Sequence, residues 1–152
     1  MNALATLETE LSWAEKVAFL ASRFQGMDDQ KECPVKHSFK PGWYVREMTI
    51  PADTIFIGRT HRHGHICRLV SGTVALLNEG GEVRLEAPHE ITTAPGYQMV
   101  LHALTDVVGR TYHANPTESR DVAALEAEAF HPAEDVFTLG RDVERRVQEA
   151  LK

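Results

Sequence analysis

Between Arg59 and Gly72 the chain reads Arg-Thr-His-Arg-His-Gly-His-Ile-Cys-Arg-Leu-Val-Ser-Gly, and three of its eight histidines stand there at alternate positions, His61, His63 and His65. Imidazole is the commonest protein ligand for metal ions, and it exchanges protons near neutral pH. In a strand, alternate side chains share a face. His61, His63, His65, Cys67 and Leu69 would then face one way, with Arg62 and Arg68 facing the other. Neighbouring rings on that face start roughly 6.5–7 Å apart at the backbone, so two can meet on one ion. The outer two start about 13 Å apart, so a third needs a bulge or a different role. A further ligand would come from a neighbouring strand, with His102 or His113 as candidates. The same rings can also line a polar cavity and bind nothing.

Other residue types add alternatives. Cys67 beside the histidines is either an activated thiol or a buried, inert one. Tyr97, Tyr112 and His113 are candidates for acid–base work, which needs groups within hydrogen-bond reach of one proton. Arg46-Glu47 reads as an ion pair at a strand edge or as a ligand contact, and exposed pairs contribute little. No phosphate-cradling loop, nucleophile elbow or helical zinc motif is present.

The elements that must position these residues are short strands. From Trp43 to Tyr112, apolar runs alternate with turn signals at Lys40-Pro41-Gly42, Pro51-Ala52-Asp53, Ser71-Gly72, Asn78-Glu79-Gly80-Gly81, Ala87-Pro88 and Ala94-Pro95-Gly96. The strand-like runs are 43–50, 54–58, 61–70, 73–77, 83–86, 98–104 and 107–112, a spacing that predicts a sandwich or barrel. Ahead of them, Leu4, Leu7, Leu11, Ala14, Val17, Ala21 and Phe24 predict one long helix closed by Gly26. A polar link follows, from Met27 to about Lys36. After Asn115-Pro116, a stripe of Val122, Leu125 and Ala129 and another of Val143, Val147 and Leu151 predict two helices separated by Pro132. The expected organisation is an N-terminal helix and linker over 1–31, a β domain over 32–116 and C-terminal helices over 117–152.

Composition bounds the function. With 152 residues and 43% hydrophobic side chains, the chain is one domain's worth and long enough for a core without disulfides or a structural metal. A formal net charge of −6 argues against a general nucleic-acid binder, which needs a basic face. No apolar run approaches a membrane span, and the N-terminus lacks the features of a signal peptide. A cytoplasmic location is expected. The two cysteines, Cys33 and Cys67, match no zinc spacing and are expected to stay reduced.

The stretch from Trp43 to Asn115 resembles a cupin, a small double-sheet jelly roll. The family's first motif, G-x5-H-x-H-x(3,4)-E-x6-G, is matched loosely by the histidine run and Gly72. Its second, P-x-G-x2-H-x3-N, is matched by the Pro95-Gly96 turn, one residue shorter. The chain departs from both. Counting back from Gly72 puts His65 at the glutamate position and Arg59 and His61 at the paired histidines. Counting forward from His61 and His63 puts Cys67 or Arg68 there. The second-motif histidine falls on Met99, with His102 three residues later. In metal-binding cupins these positions hold one divalent ion, so the resemblance implies a Zn, Mn, Ni or Fe site built from His61, His63, His65 and His102, with Cys67, Met99, Tyr112 and His113 lining it. A narrower resemblance, carried by Glu32-Cys33-Pro34-Val35, by 37–47, by Ile50-Pro51-Ala52, by Tyr112-His113-Ala114-Asn115-Pro116 and by Leu125-Glu126, is to small cupin-like proteins of tailed phages and prophages.

The expected fold is therefore mainly β, a cupin-type double-stranded β-helix with an N-terminal helix and C-terminal helices. Three functions are consistent with it. One is a binding protein for a divalent metal or small molecule, with a histidine-lined barrel and no assigned reaction. Another is a phage structural or assembly protein, in the virion, using the jelly roll to bind other phage structural proteins. The third is a metal-dependent dioxygenase or an isomerase. Appended helices suggest a homo-oligomer.

Overall fold

A computed structural model describes residues 2–152, which form two compact units. One comprises residues 31–131 and the other residues 2–30 with 132–152.

The larger unit is built from nine strands: β1 (Val35–Lys40), β2 (Trp43–Ile50), β3 (Ile55–Ile57), β4 (His65–Ser71), β5 (Thr73–Asn78), β6 (Gly81–Glu86), β7 (His89–Thr93), β8 (Val100–Ala103) and β9 (Val107–Ala114). They make two antiparallel sheets, ordered β1-β2-β9-β4-β7 and β3-β8-β5-β6. Ile50, Val74, Leu101, Ala103 and Val107, from both sheets, form a buried cluster, and Met48, Phe56, Leu69, Leu76, Leu85 and Met99 pack against it.

Two strands were not expected. Val35–Lys40 falls between the end of the expected polar link and the Lys40-Pro41-Gly42 turn, and it is an edge strand, half-buried only at Val35 and Phe39. His89–Thr93 fell between two proline turns, and it is the opposite edge of the same sheet. Edge strands bury little, so their apolar signal is weak. Tight turns set the connections. Gly72 has φ +94°, between β4 and β5, and a Cβ there would run into the Asp106 carbonyl and the Thr105 hydroxyl, so this turn admits only glycine without rearrangement.

Beyond β9 the same unit continues through a tight turn. Asn115 is buried, and its side-chain amide donates to the Ser119 carbonyl while its Oδ1 accepts from the Ser119 N–H. Helix α3 (Val122–Ala129) follows, its N-terminus capped by Asp121, whose carboxylate accepts from the Ala124 N–H at 3.1 Å.

The other unit is helical. The predicted long N-terminal helix is two helices, α1 (Ala3–Glu10) and α2 (Trp13–Gln25). Ser12 breaks it, because its hydroxyl accepts from the Glu15 N–H and the Glu15 carboxylate accepts from the Ser12 N–H. That reciprocal cap starts a new helix where the apolar spacing alone runs on. Helix α4 (Ala133–Ala150) packs against α2, with Val17, Ala18 and Ala21 buried on one and Gly140 and Val143 on the other. Arg146 and Glu15 pair across them at 2.7 Å.

Candidate functional site

The run that precedes β4 is not a regular strand. His61 forms an isolated bridge to Phe130, His63 lies in a bend, and the ladder with β7 begins at His65. Gly64 makes this possible, because a Cβ there would meet the Thr93 carbonyl oxygen at 2.7 Å. The irregularity turns His63 outward while leaving His61 and His65 together. The expectation that His61, His63 and His65 share one face is therefore corrected: a glycine inside a strand pattern signals a bulge or a close backbone approach.

His61 and His65 are both buried, and their rings stack with centroids 3.8 Å apart. His113, on β9, completes the group, 5.6 Å from the His61 ring and 5.3 Å from that of His65. Each ring has one nitrogen occupied. His65 Nδ1 pairs with the Thr93 hydroxyl at 2.7 Å. His113 Nε2 pairs with the Thr111 hydroxyl at 2.9 Å. His61 Nδ1 lies 3.3 Å from the Tyr97 carbonyl. A carbonyl only accepts, so His61 Nδ1 carries the proton and Nε2 carries the lone pair. That Nε2 is buried without a partner.

Burial disfavours the imidazolium form at all three positions. It pushes His61 down to about 4 and His113 down to about 3, with the neighbouring rings adding to both, and it lowers His65. The cluster is neutral at pH 7.

Beside it lies a cavity of about 220 Å³, bounded by His61, His65 and side chains of both sheets. Most of its wall is apolar, including Met48, Phe56, Leu69, Leu76 and Met99. Its charged members are basic: Arg46, Arg59 and Arg68 line it, and no Asp or Glu does. One end is organised around Phe130, which is 2% exposed. The Arg46 and Arg59 guanidinium carbons lie 4.7 and 4.6 Å from its ring centre, and the His61 ring meets its edge at 4.7 Å. Backbone pairing holds Phe130 there: Arg62 N–H donates to the Ala129 carbonyl, Arg62 Nε to the Phe130 carbonyl and His131 N–H to the Thr60 carbonyl.

The other expected site residues fall in different places. His63 is exposed and pairs with Glu128 at 3.1 Å. His102, on β8, is 39% exposed and lies 3.6 Å from Asp53. Neither approaches the cluster: their partners are surface carboxylates. Cys67 and Met99 lie in the cavity wall. Burial pushes the Cys67 thiol up to about 11, which makes it a protonated wall residue and not an activated nucleophile. Tyr112 and His113 are not part of the wall, contrary to expectation: Tyr112 forms a T-shaped pair with Trp43, and His113 packs against the His61, His65 and Phe130 rings. Arg46 pairs with Glu126 and Glu47 pairs with Arg110, so the adjacent Arg46-Glu47 is not an ion pair.

Arg59 and Phe130 were not anticipated. Arg59 sits in the histidine run itself, and its proximity was the available signal. Phe130 is 69 positions from His61, and no local pattern links them.

In donor type and number, three neutral imidazoles fit a divalent transition ion, since three-histidine sites bind zinc. In ring direction they are not set for one. A ligating nitrogen directs its lone pair along its ring plane, but these planes lie within 21° of parallel. The His61 and His65 planes, stacked 3.8 Å apart at 18°, do not meet about 2 Å from both nitrogens. Among the described residues no three donors stand in a coordinating arrangement.

No protein-family model matches the chain, and no curated protein matches it. Solved structures do. A salicylate 1,2-dioxygenase from Pseudaminobacter salicylatoxidans matches over 75% of this chain and 34% of its own, at 14% identity and a TM-score of 0.51. A cupin-domain protein from Bordetella pertussis Tohama I matches over 59% of this chain and 99% of its own, at 16% identity and a TM-score of 0.45. An RmlC-like cupin family protein with a double-stranded β-helix fold, from Methanocaldococcus jannaschii, matches over 60% of this chain and 88% of its own, at 10% identity and a TM-score of 0.46. The fold is a jelly roll of two antiparallel sheets carrying N- and C-terminal helices.

Proposed function

We propose that the barrel is a binding site for a small ligand, with His61 and His65 as its polar floor and the His113 ring packed beside them. The observation that carries this reading is the neutral imidazole cluster beside an apolar cavity, with His61 Nε2 buried and unpaired. A buried acceptor without a partner costs about 1–3 kcal/mol, and a ligand hydroxyl or amide N–H would satisfy it. The cavity is below the roughly 300–1,000 Å³ of drug-sized sites, so the ligand is small, about ten to fifteen non-hydrogen atoms.

A second reading is a divalent transition metal, Zn, Mn, Ni or Fe, held by the same three imidazoles. It is favoured by their neutrality, since the neutral ring is the ligating form. It requires the rings to turn out of their stack. Such an ion would supply Lewis acidity or an activated water, and the cupin neighbours include an enzyme named as a dioxygenase.

Chelator-treated protein tests both. Benzamide and cyclohexanol, as neutral probes, are expected to raise the melting temperature and to shift the imidazole resonances of His61, His65 and His113. For the metal reading, stoichiometric Zn, Mn, Ni or Fe(II) is expected to raise the melting temperature of wild type and to leave His61→Ala and His65→Ala unchanged, because a ligand of the native state must stabilise it. If no metal does so, the second reading is withdrawn. If neither probes nor metals perturb the three histidines, both readings fall.

A further inference from the structure

The cavity wall carries more positive charge than its surroundings balance. Of its three arginines, Arg68 pairs with Glu90 at 3.0 Å and Arg46 with Glu126 at 3.2 Å. Arg59 has no carboxylate partner among the described residues. Its one polar contact is an Nη2 donation to the His131 carbonyl at 3.5 Å, at the limit of a hydrogen bond. The Nε atoms of both Arg59 and Arg46 are buried and unpaired. A guanidinium always carries its charge and cannot shed a proton to relieve this. One uncompensated cation therefore lines, with Arg46 beside it, an apolar space in which no Asp or Glu stands.

His61 cannot serve the same purpose. Its Nδ1 proton is committed to the Tyr97 carbonyl, so the free Nε2 accepts and would repel an anionic oxygen. Any negative charge belongs at the arginine end, where Phe130 holds both guanidinium groups against one ring.

We infer that the ligand of this cavity is a small organic anion, an apolar body with one carboxylate-type group, whose charge is held by Arg59 with Arg46 beside it. The apolar body lies against Met48, Phe56, Leu76 and Met99. The inference rests on the reading of the cavity as a ligand site and adds the ligand's charge and the residue that selects it. Planar anionic oxygen pairs suit the guanidinium fork, which binds them with charge-assisted hydrogen bonds. Lysine offers the charge without the fork.

Two matched probe pairs test it by calorimetry at low salt: benzoate against benzamide, and hexanoate against hexanamide. Wild type is expected to bind each anion at least tenfold more tightly than its amide. Arg59→Gln is expected to erase that preference while leaving amide affinity within about twofold, and Arg59→Lys to restore part of it. Circular dichroism and melting of both variants establish that they fold. Should Arg59→Gln fail to fold, benzoate titration of wild type, followed at the Arg59 Nε resonance, replaces it, with a shift expected on saturation. Amides that bind as well as or better than the anions would overturn this inference and leave the cavity reading intact. Absence of binding by all four probes would sink both.

Discussion

Phe130 is the residue on which the site most depends. It is nearly inaccessible, it carries two arginines and two histidines against its ring, and it reaches that position only because residues 129–131 pair with 60–62. Truncation to alanine removes a large buried side chain and leaves a void, at a cost of about 3–5 kcal/mol. We predict that Phe130→Ala lowers stability by that amount in urea denaturation, and that Phe130→Leu, which keeps volume but no π face, loses clearly less. Thr93 is the second residue to examine. Its hydroxyl meets His65 Nδ1 at 2.7 Å in a buried setting. Thr93→Val keeps the shape and removes the partner, so a loss of about 1–3 kcal/mol is expected, with the His65 imidazole resonance moving. An unmoved resonance would contradict the assignment of that hydrogen bond.

At the scale of elements, the strands whose inner residues alternate were legible, and those that lie at sheet edges were not. Trp43–Ile50 was read with its observed limits because Tyr44, Val45 and Ile50 are buried against the core. His89–Thr93 was missed because three of its five residues are exposed. The histidine run was singled out, but its geometry was misread because the period-two rule was carried across Gly64. His102 and His113 were both candidates to approach from a neighbouring strand, and the choice between them was not legible, because the antiparallel pairing of β4 with β9 that brings His113 in is a long-range fact. The N-terminal helix was overextended because apolar spacing continues across Ser12, where a cap intervenes. Two predictions belong here. Asp121→Ala removes the cap of α3 and is expected to cost about 1 kcal/mol, measured by chemical denaturation. In the helical unit, a Cβ at position 140 would collide with the Ala18 carbonyl, and would stand 2.6 Å from Ser22 Cβ. Gly140→Ala should therefore destabilise by about 1–3 kcal/mol, despite alanine's better helix propensity. An unchanged or raised stability would mean that α2 and α4 separate at little cost.

For the whole molecule, the three buried histidines make stability depend on pH in one direction. Their folded values lie below the ordinary value of about 6.5, with His61 near 4 and His113 near 3. The unfolded chain takes up protons below 6.5 while the folded chain refuses them, so their contribution is complete above 6.5 and is lost as pH falls toward 4 and 3. The melting temperature should decline from pH 7 to pH 4, and replacing His113 with Asn should flatten that decline. The central claim is that His61, His65 and His113 form one neutral, enclosed group, of which His61 and His65 line a ligand cavity. Nitrogen-detected NMR of the imidazoles, titrated from pH 8 to pH 5 with and without benzoate, tests it most directly. The account predicts that His61 and His113 stay largely neutral throughout, that His65 protonates only below the ordinary histidine value, and that benzoate shifts the three resonances together. Protonation of the three near pH 6.5, or a benzoate response confined to exposed rings such as His63 and His102, would contradict it.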